Sequence, residues 1–209
     1  SAQRIIDLAF ERYGRLDVLI NNAGVGYFGT VESTTPEDVE KILALNLLAP
    51  LSSIQRALPI MKAQGRGHII NVSSIVGKRG LPLSGIYAAT KFALGGISES
   101  LRVELRGTGI DVSIVYPVGT RTEFFDVVHR GDAEGEFTPK GRMQSAEEVA
   151  RAIARCIHHP RVEVYPYRMA RFMVWFNALF PAVVDRVLVR YVRGRVKGRQ
   201  NRKDPVDDA

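Results

Sequence analysis

Tyr87 and Lys91 lie four residues apart in segment 85–94, GIYAATKFAL, which reads as the start of a helix. Residues at that spacing stand one above the other, so the phenol and the ammonium can face one pocket. A nearby cation favours phenolate, and a phenol drawn down from its ordinary titration near 10 can pass a proton near neutral pH. Alone, the pair is as well explained by surface spacing, because a chain with seven tyrosines gives chance several openings. Three neighbours carry the argument further. Ser74 ends an apolar segment thirteen residues before Tyr87, where a hydroxyl is placed to bond a substrate oxygen. Asn21-Asn22-Ala23-Gly24 ends the preceding apolar segment. Asn46 interrupts an apolar helical pattern, ILALNLLAP, where an amide needs a reason to be; a hydrogen-bonded structural asparagine is the competing account.

The elements that must position these residues follow from hydropathy and helix signals. Segments 16–24, 67–74, 110–117 and 162–166 are apolar and β-branched, as strands of a parallel sheet covered on both faces must be. Helical patterns occupy about 36–63, 85–106 and 145–158. Thr35-Pro36-Glu37-Asp38 and Ser145-Ala146-Glu147-Glu148 have the caps, proline and acids of helix starts. The alternation predicts an α/β fold with right-handed crossovers and an open, doubly wound parallel sheet. Ligands in such sheets sit beyond the carboxyl ends of the strands, where the NNAG, Ser73-Ser74 and Tyr116-Pro117 positions all fall. Neighbouring strand residues face opposite ways, so only one of Ser73 and Ser74 can face that pocket. Gly24-Val25-Gly26-Tyr27-Phe28-Gly29 spells a dinucleotide fingerprint, but no helix opens behind it and position 49 is alanine, not an acid. It reads as a glycine-rich loop.

Taken together these residues resemble the short-chain dehydrogenase/reductase family, over residues 1 to about 166 and in unbroken order. The resemblance rests on Asn21-Asn22-Ala23-Gly24, Asn46, Ser73-Ser74, Tyr87-Ala88-Ala89-Thr90-Lys91, and Pro117 with Thr122. It implies a Rossmann-like fold in which Tyr87 exchanges a proton with the substrate oxygen while hydride moves to or from a nicotinamide. Lys91 would lower the tyrosine pKa and bind the nicotinamide ribose, Ser74 would orient the substrate oxygen, and Asn46 would hold a relay water. Asn22, Ala23, Gly24, Tyr87, Lys91, Pro117, Val118 and Thr122 would line the cofactor, NADP or NAD with a lean towards NADP. The family also implies a homodimer or homotetramer, often through the helix bearing Gly95-Gly96. Two departures stand out. Pro117-Val118-Gly119 replaces the family's Pro-Gly, and the glycine-rich phosphate turn and first three strands are absent. With βα units of about 30 residues, roughly 70 residues would precede Ser1, leaving an exposed sheet edge and apolar faces.

Other features narrow the function. The single Cys156 cannot form an internal disulfide, and no Cys/His spacing fits a metal, so a reducing cytoplasmic setting and no metal site are expected. The net charge is +7, and the basic character lies largely in the last two dozen residues, where eight arginines and lysines crowd without any nucleic-acid-binding motif. Segment 120–144 reads as a long mobile loop. The chain divides into a partial catalytic domain, 1–166, and a C-terminal amphipathic extension with a basic tail, 167–209. Apolar segment 172–184 falls short of the ~20 residues of a membrane span, so two helices meeting at Pro181 are expected. They would cap the pocket, contact another protomer or lie on a membrane surface. The expected function is NAD(P)-dependent interconversion of a secondary alcohol and a ketone on a hydrophobic small molecule. A related epimerase or dehydratase, an inactive fragment, and a non-catalytic interaction or membrane-associated protein are the alternatives.

Overall fold

The apolar segments pair side by side, all in one direction. The computed structural model describes residues 2–131 and 143–200. Helix α1 (Ala2–Tyr13) precedes β1 (Val18–Asn21) and the short β2 (Tyr27–Phe28). Helix α2 (Pro36–Leu43), a π turn (Ala44–Leu48) and α3 (Ala49–Gln64) then form one continuous helical run. After β3 (Gly67–Val72) come α4 (Gly85–Glu104) and β4 (Ile110–Val115). The short β5 (Thr120–Arg121), β6 (His129–Arg130) and β7 (Gln144–Ser145) follow, then α5 (Ala146–His158) and β8 (Glu163–Val164). Helices α6 (Met169–Leu179) and α7 (Pro181–Gln200) come last among the described elements.

The main sheet has the order β1-β3-β4-β8, every pair parallel. β3 lies inside it and is buried on both faces from His68 to Val72, which is why its sequence is apolar without alternation. Ile69 packs with Ile54, Ala57 and Met61 of α3 on one side of the core, together with Leu19, Leu101 and Val112. Burying each such side chain stabilises the fold by ~1.5–3 kcal/mol, so this packing fixes the strands against the helices. β1 lies at the edge of the sheet, and Ile20 and the α1 residues Ile5, Leu8, Phe10 and Tyr13 are exposed.

Both helix starts expected from sequence are capping boxes: Thr35 with Asp38 on α2, and Ser145 with Glu148 on α5. The strands are shorter than their apolar segments, because 22–24, 73–74 and 116–117 leave the ladder to form the loops at its carboxyl edge. Segment 120–144, expected as a long loop, carries short strands in its described parts: β5 pairs with β7, and β6 pairs with β2. Residues 132–142 lie outside the described residues. The basic stretch after Arg193 continues α7 as far as Gln200, and residues 201–209 lie outside the described residues.

Candidate active site

The loop entering α4 aims its first turn. Leu83 has φ of 65°, a left-handed conformation uncommon for a branched side chain, and its carbonyl accepts the Gly29 N–H at 2.9 Å. The glycine-rich loop 24–29 is thereby stitched to the start of α4; it carries β2 and opens no helix, as its rejection as a fingerprint requires. Tyr87 is half-buried, and Lys91, one turn on, is buried. The Lys91 Nζ stands 5.8 Å from the centre of the Tyr87 ring and donates to the Val72 carbonyl at 3.1 Å, at the carboxyl end of β3.

The electrostatics of the pair differ from the expectation. Burial pushes Tyr87 up to about 12, although its hydrogen bond with the Ser74 hydroxyl pulls the other way. Burial also draws Lys91 down to about 8. The lysine does not bring the phenol down here, because its ammonium is aimed at a backbone carbonyl while desolvation acts on both groups.

The two serines divide as strand alternation demands. Ser74 turns to Tyr87 and caps the short helical turn Ile75–Gly77, accepting the Val76 N–H at 3.4 Å. Ser73 is buried and donates to the Lys91 carbonyl at 3.0 Å, which ties β3 to α4 behind the pair.

Asn46 sits in the π turn with no exposed surface. Its Nδ2 donates to the Val25 carbonyl at 2.8 Å and to Thr90 Oγ1 at 3.2 Å, and its Oδ1 accepts the Val25 N–H at 2.9 Å. Thr90 in turn donates to the Tyr87 carbonyl at 2.8 Å. The side-chain amide therefore clamps the loop after β1 to the Tyr87 turn. Gly24 passes so close that a Cβ there would lie 3.0 Å from Asn46 Oδ1 and 3.4 Å from Lys91 Nζ. A side chain there would make the Asn46 amide give by a few tenths of an ångström, while its approach to the lysine would be an ordinary contact.

The remaining expected residues fall around this centre. Asn22 and Ala23 are exposed at the carboxyl end of β1, while Asn21 turns away to hydrogen-bond Asn71 at 2.8 Å. Pro117 accepts the Ile75 N–H at 2.8 Å, joining the ends of β3 and β4. Val118 donates to Gln144 Oε1 at 3.2 Å. Thr122 is exposed and caps the turn Glu123–Phe125, accepting the Phe124 N–H at 3.3 Å. Three residues were missed. Thr90 was visible in principle, three positions from Tyr87 on the same face. Buried Gln144 holds the Val118 loop, and the Phe124 ring lies 5.7 Å from that of Tyr87. Both reach the site through a fold-back that no local pattern announces.

The short chain dehydrogenase family matches residues 1–132. The chain belongs to that family. An uncharacterised oxidoreductase of Schizosaccharomyces pombe is 43% identical over 124 residues, which is 59% of this chain and 52% of that protein. A 3-ketodihydrosphingosine reductase of Bacteroides thetaiotaomicron is 40% identical over 126 residues, 60% of this chain and 47% of that protein. The chain spans about half the length of the curated relatives it matches. Among solved structures, a short chain dehydrogenase/reductase from Burkholderia phymatum in complex with NAD superposes with a TM-score of 0.76 at 25% identity, covering 87% of this chain and 72% of that one. ElxO with NADP bound superposes with a TM-score of 0.68 at 28% identity, covering 79% and 72%.

The residues of this short-chain dehydrogenase fit the nicotinamide end of such a cofactor. The glycine path at Gly24 leaves the Lys91 ammonium beside the backbone at the sheet's carboxyl edge, with exposed Asn22 and Ala23 next to it. A cation and a close-running backbone at that edge suit a ribose and an amide ring. No group of acids, histidines and cysteines able to hold a metal occurs among the described residues.

Proposed function

We propose that the protein is an NAD(P)-dependent oxidoreductase interconverting a secondary alcohol and a ketone on an apolar small molecule, with Tyr87 as the acid/base. The observation that carries this reading is the meeting at the sheet's carboxyl edge of the Tyr87 phenol, the Ser74 hydroxyl that favours its ionisation, and buried Lys91 one turn behind. When bound, the dinucleotide supplies or accepts the hydride. Tyr87, held up to about 12, carries its proton at neutral pH, the form that protonates an oxygen as a ketone is reduced. Ser74 donates a hydrogen bond that orients that oxygen. Lys91 binds the ribose side, its ammonium held by the Val72 carbonyl. Asn46 and Thr90 keep Gly24 and Tyr87 in fixed relation, and Pro117, Val118 and Thr122 border the carboxamide end.

Phe124 over Tyr87, with Phe125 edge-on to it at 5.4 Å, supports an apolar substrate, as does the relative named for reducing 3-ketodihydrosphingosine. NADP(H) is proposed as the preferred carrier; the structure with NADP is somewhat more similar in sequence than the one with NAD. Exposed Phe92, Gly96 and Val103 along α4 support a homodimer or homotetramer through that helix, to be checked by light scattering.

The test is fluorescence titration with NADPH and then NADH, followed by nicotinamide absorbance with a panel of ketones, for the wild type and Tyr87→Phe. Binding of a cofactor, net redox change and loss of turnover in the variant are expected. Absence of cofactor binding points to a non-catalytic protein, and turnover without net redox change to an epimerase or dehydratase. Faster turnover of small sugars than of every apolar ketone sinks the substrate class.

A further inference from the structure

Helices α6 and α7 are built the reverse of ordinary surface helices. Only narrow stripes turn inward, Ala170, Val174 and Asn177 on α6 and Val184 and Leu188 on α7. Outward stand Phe172, Trp175, Phe176, Leu179, Phe180 and Val183, each between 42 and 73% exposed. A helix facing water carries polar residues there, and a contiguous apolar surface of this kind marks an interaction site.

Charge and shape say what covers it. Asp185 is the lone acid between Arg168 and Gln200, and it is paired with Arg79 of the body; eight arginines and lysines share that stretch. The Arg171 guanidinium lies 5.2 Å over the Trp175 ring, a combination suited to a boundary with one dry and one wet side. A second copy would bring the same positive charge to the same patch, whereas an anionic lipid surface complements it. The two helices bend by 109° at Phe180. α6 is ~16 Å long and the first ten residues of α7 ~15 Å, against a hydrocarbon thickness of ~30 Å. Because the second helix turns back, both ends come out on one side. No single described helix is long and apolar enough to cross a membrane.

We propose that the α6–α7 bend docks the protein onto one leaflet of an anionic bilayer. Phe176, Leu179, Phe180 and Val183 enter the boundary between headgroups and acyl chains, and Arg168, Arg171, Arg186 and Arg190 meet the phosphates. The Arg79–Asp185 pair fastens α7 to the loop that leads into α4, so docking holds the mouth of the Tyr87 site close to the lipid.

Vesicle flotation tests this without turnover, so the result is independent of the oxidoreductase reading. The purified protein is mixed with phosphatidylcholine vesicles or with phosphatidylcholine/phosphatidylglycerol vesicles, at low and high salt. Binding to the anionic vesicles is expected, about tenfold weaker on neutral vesicles or in high salt. Phe176→Glu with Leu179→Glu should abolish flotation without changing the melting temperature. Arg186→Glu with Arg190→Glu should weaken it about tenfold or more while leaving the apolar tip intact. Failure to float with either vesicle overturns the proposal. So does undiminished flotation of both variants, or a patch whose substitution splits a dimer while vesicle binding stays unchanged.

Discussion

Asn46 and Asn177 both interrupt apolar helical segments, and their surroundings are opposites. Every hydrogen-bonding atom of the Asn46 amide is engaged at least once, by Val25 and Thr90, whereas Asn177 Oδ1 is buried without a partner. The contrast extends to the regions around them. In the body around the sheet, Asn71 donates to Ser98 at 2.9 Å, Ser98 donates to the Leu94 carbonyl at 2.7 Å, and Ser73 reaches the Lys91 carbonyl. At the seam with α6 and α7, Arg79 Nε is also buried and unpaired, beside a cavity of about 580 Å³ between 79–82 and α7. Around the site the body pairs its own polar groups and so holds the Ser74–Tyr87–Lys91 geometry before anything binds, although His68 Nδ1 on β3 is also buried without a partner. The seam is left to be completed from outside.

The largest effect that sharpens this contrast is on chemistry. Tyr87→Phe should lower kcat by ~10²- to 10⁴-fold, the usual contribution of a positioned acid/base, with cofactor affinity and melting temperature little changed. Steady-state kinetics alongside thermal melts decide it; an equally large loss of stability would make Tyr87 a packing residue instead. Next comes Asn46→Leu, which strands the Val25 N–H and carbonyl and should cost about 3 kcal/mol in urea denaturation. Near-wild-type stability there would break the idea of a self-completed site.

The third effect is one of pH. Above about 8 the folded Lys91 gives up its proton, while in the unfolded chain it keeps it to about 10.5. The unfolded state then binds more protons, so stability rises with pH over that window, by about 2 kcal/mol at pH 10. Cofactor-free urea midpoints should show the rise in the wild type and not in Lys91→Met. Tyr87, with its pKa raised, contributes the opposite slope from about 10 to about 12. Smallest is Asn177→Leu, which removes an unpartnered oxygen and should leave stability within about 1 kcal/mol or raise it. A loss as large as that of Asn46→Leu would erase the distinction between the two regions.

The pattern of strands, helices and capping boxes was legible because it is written in local hydropathy and short-range hydrogen bonds. The site was legible where spacing places residues on one face: Tyr87 with Lys91 on α4, and Ser74 rather than Ser73 by alternation. Burial depth was not. It set the pKa directions of Tyr87 and Lys91 against the expected one, because desolvation depends on what the whole fold packs around a group. Nor were contacts made by chain folding back, such as Val118 with Gln144 or Phe124 with Tyr87, which join segments of weak periodicity. Asn46 lay between these cases. Its anomaly was visible in the apolar pattern, and its partners were not.

The π turn Ala44–Leu48 bears on which changes this chain can absorb. Such a turn holds one residue more than the α-helical path it replaces, and each residue advances a helix by ~100°. Substituting exposed Leu48 leaves that count intact. Deleting any one of the five residues would let the helix close regularly and rotate one flank against the other. Either Asn46 would then swing away from Val25, or Ile54, Ala57 and Met61 would leave the core. Length across this turn is therefore more tightly constrained than the identity of most of its side chains.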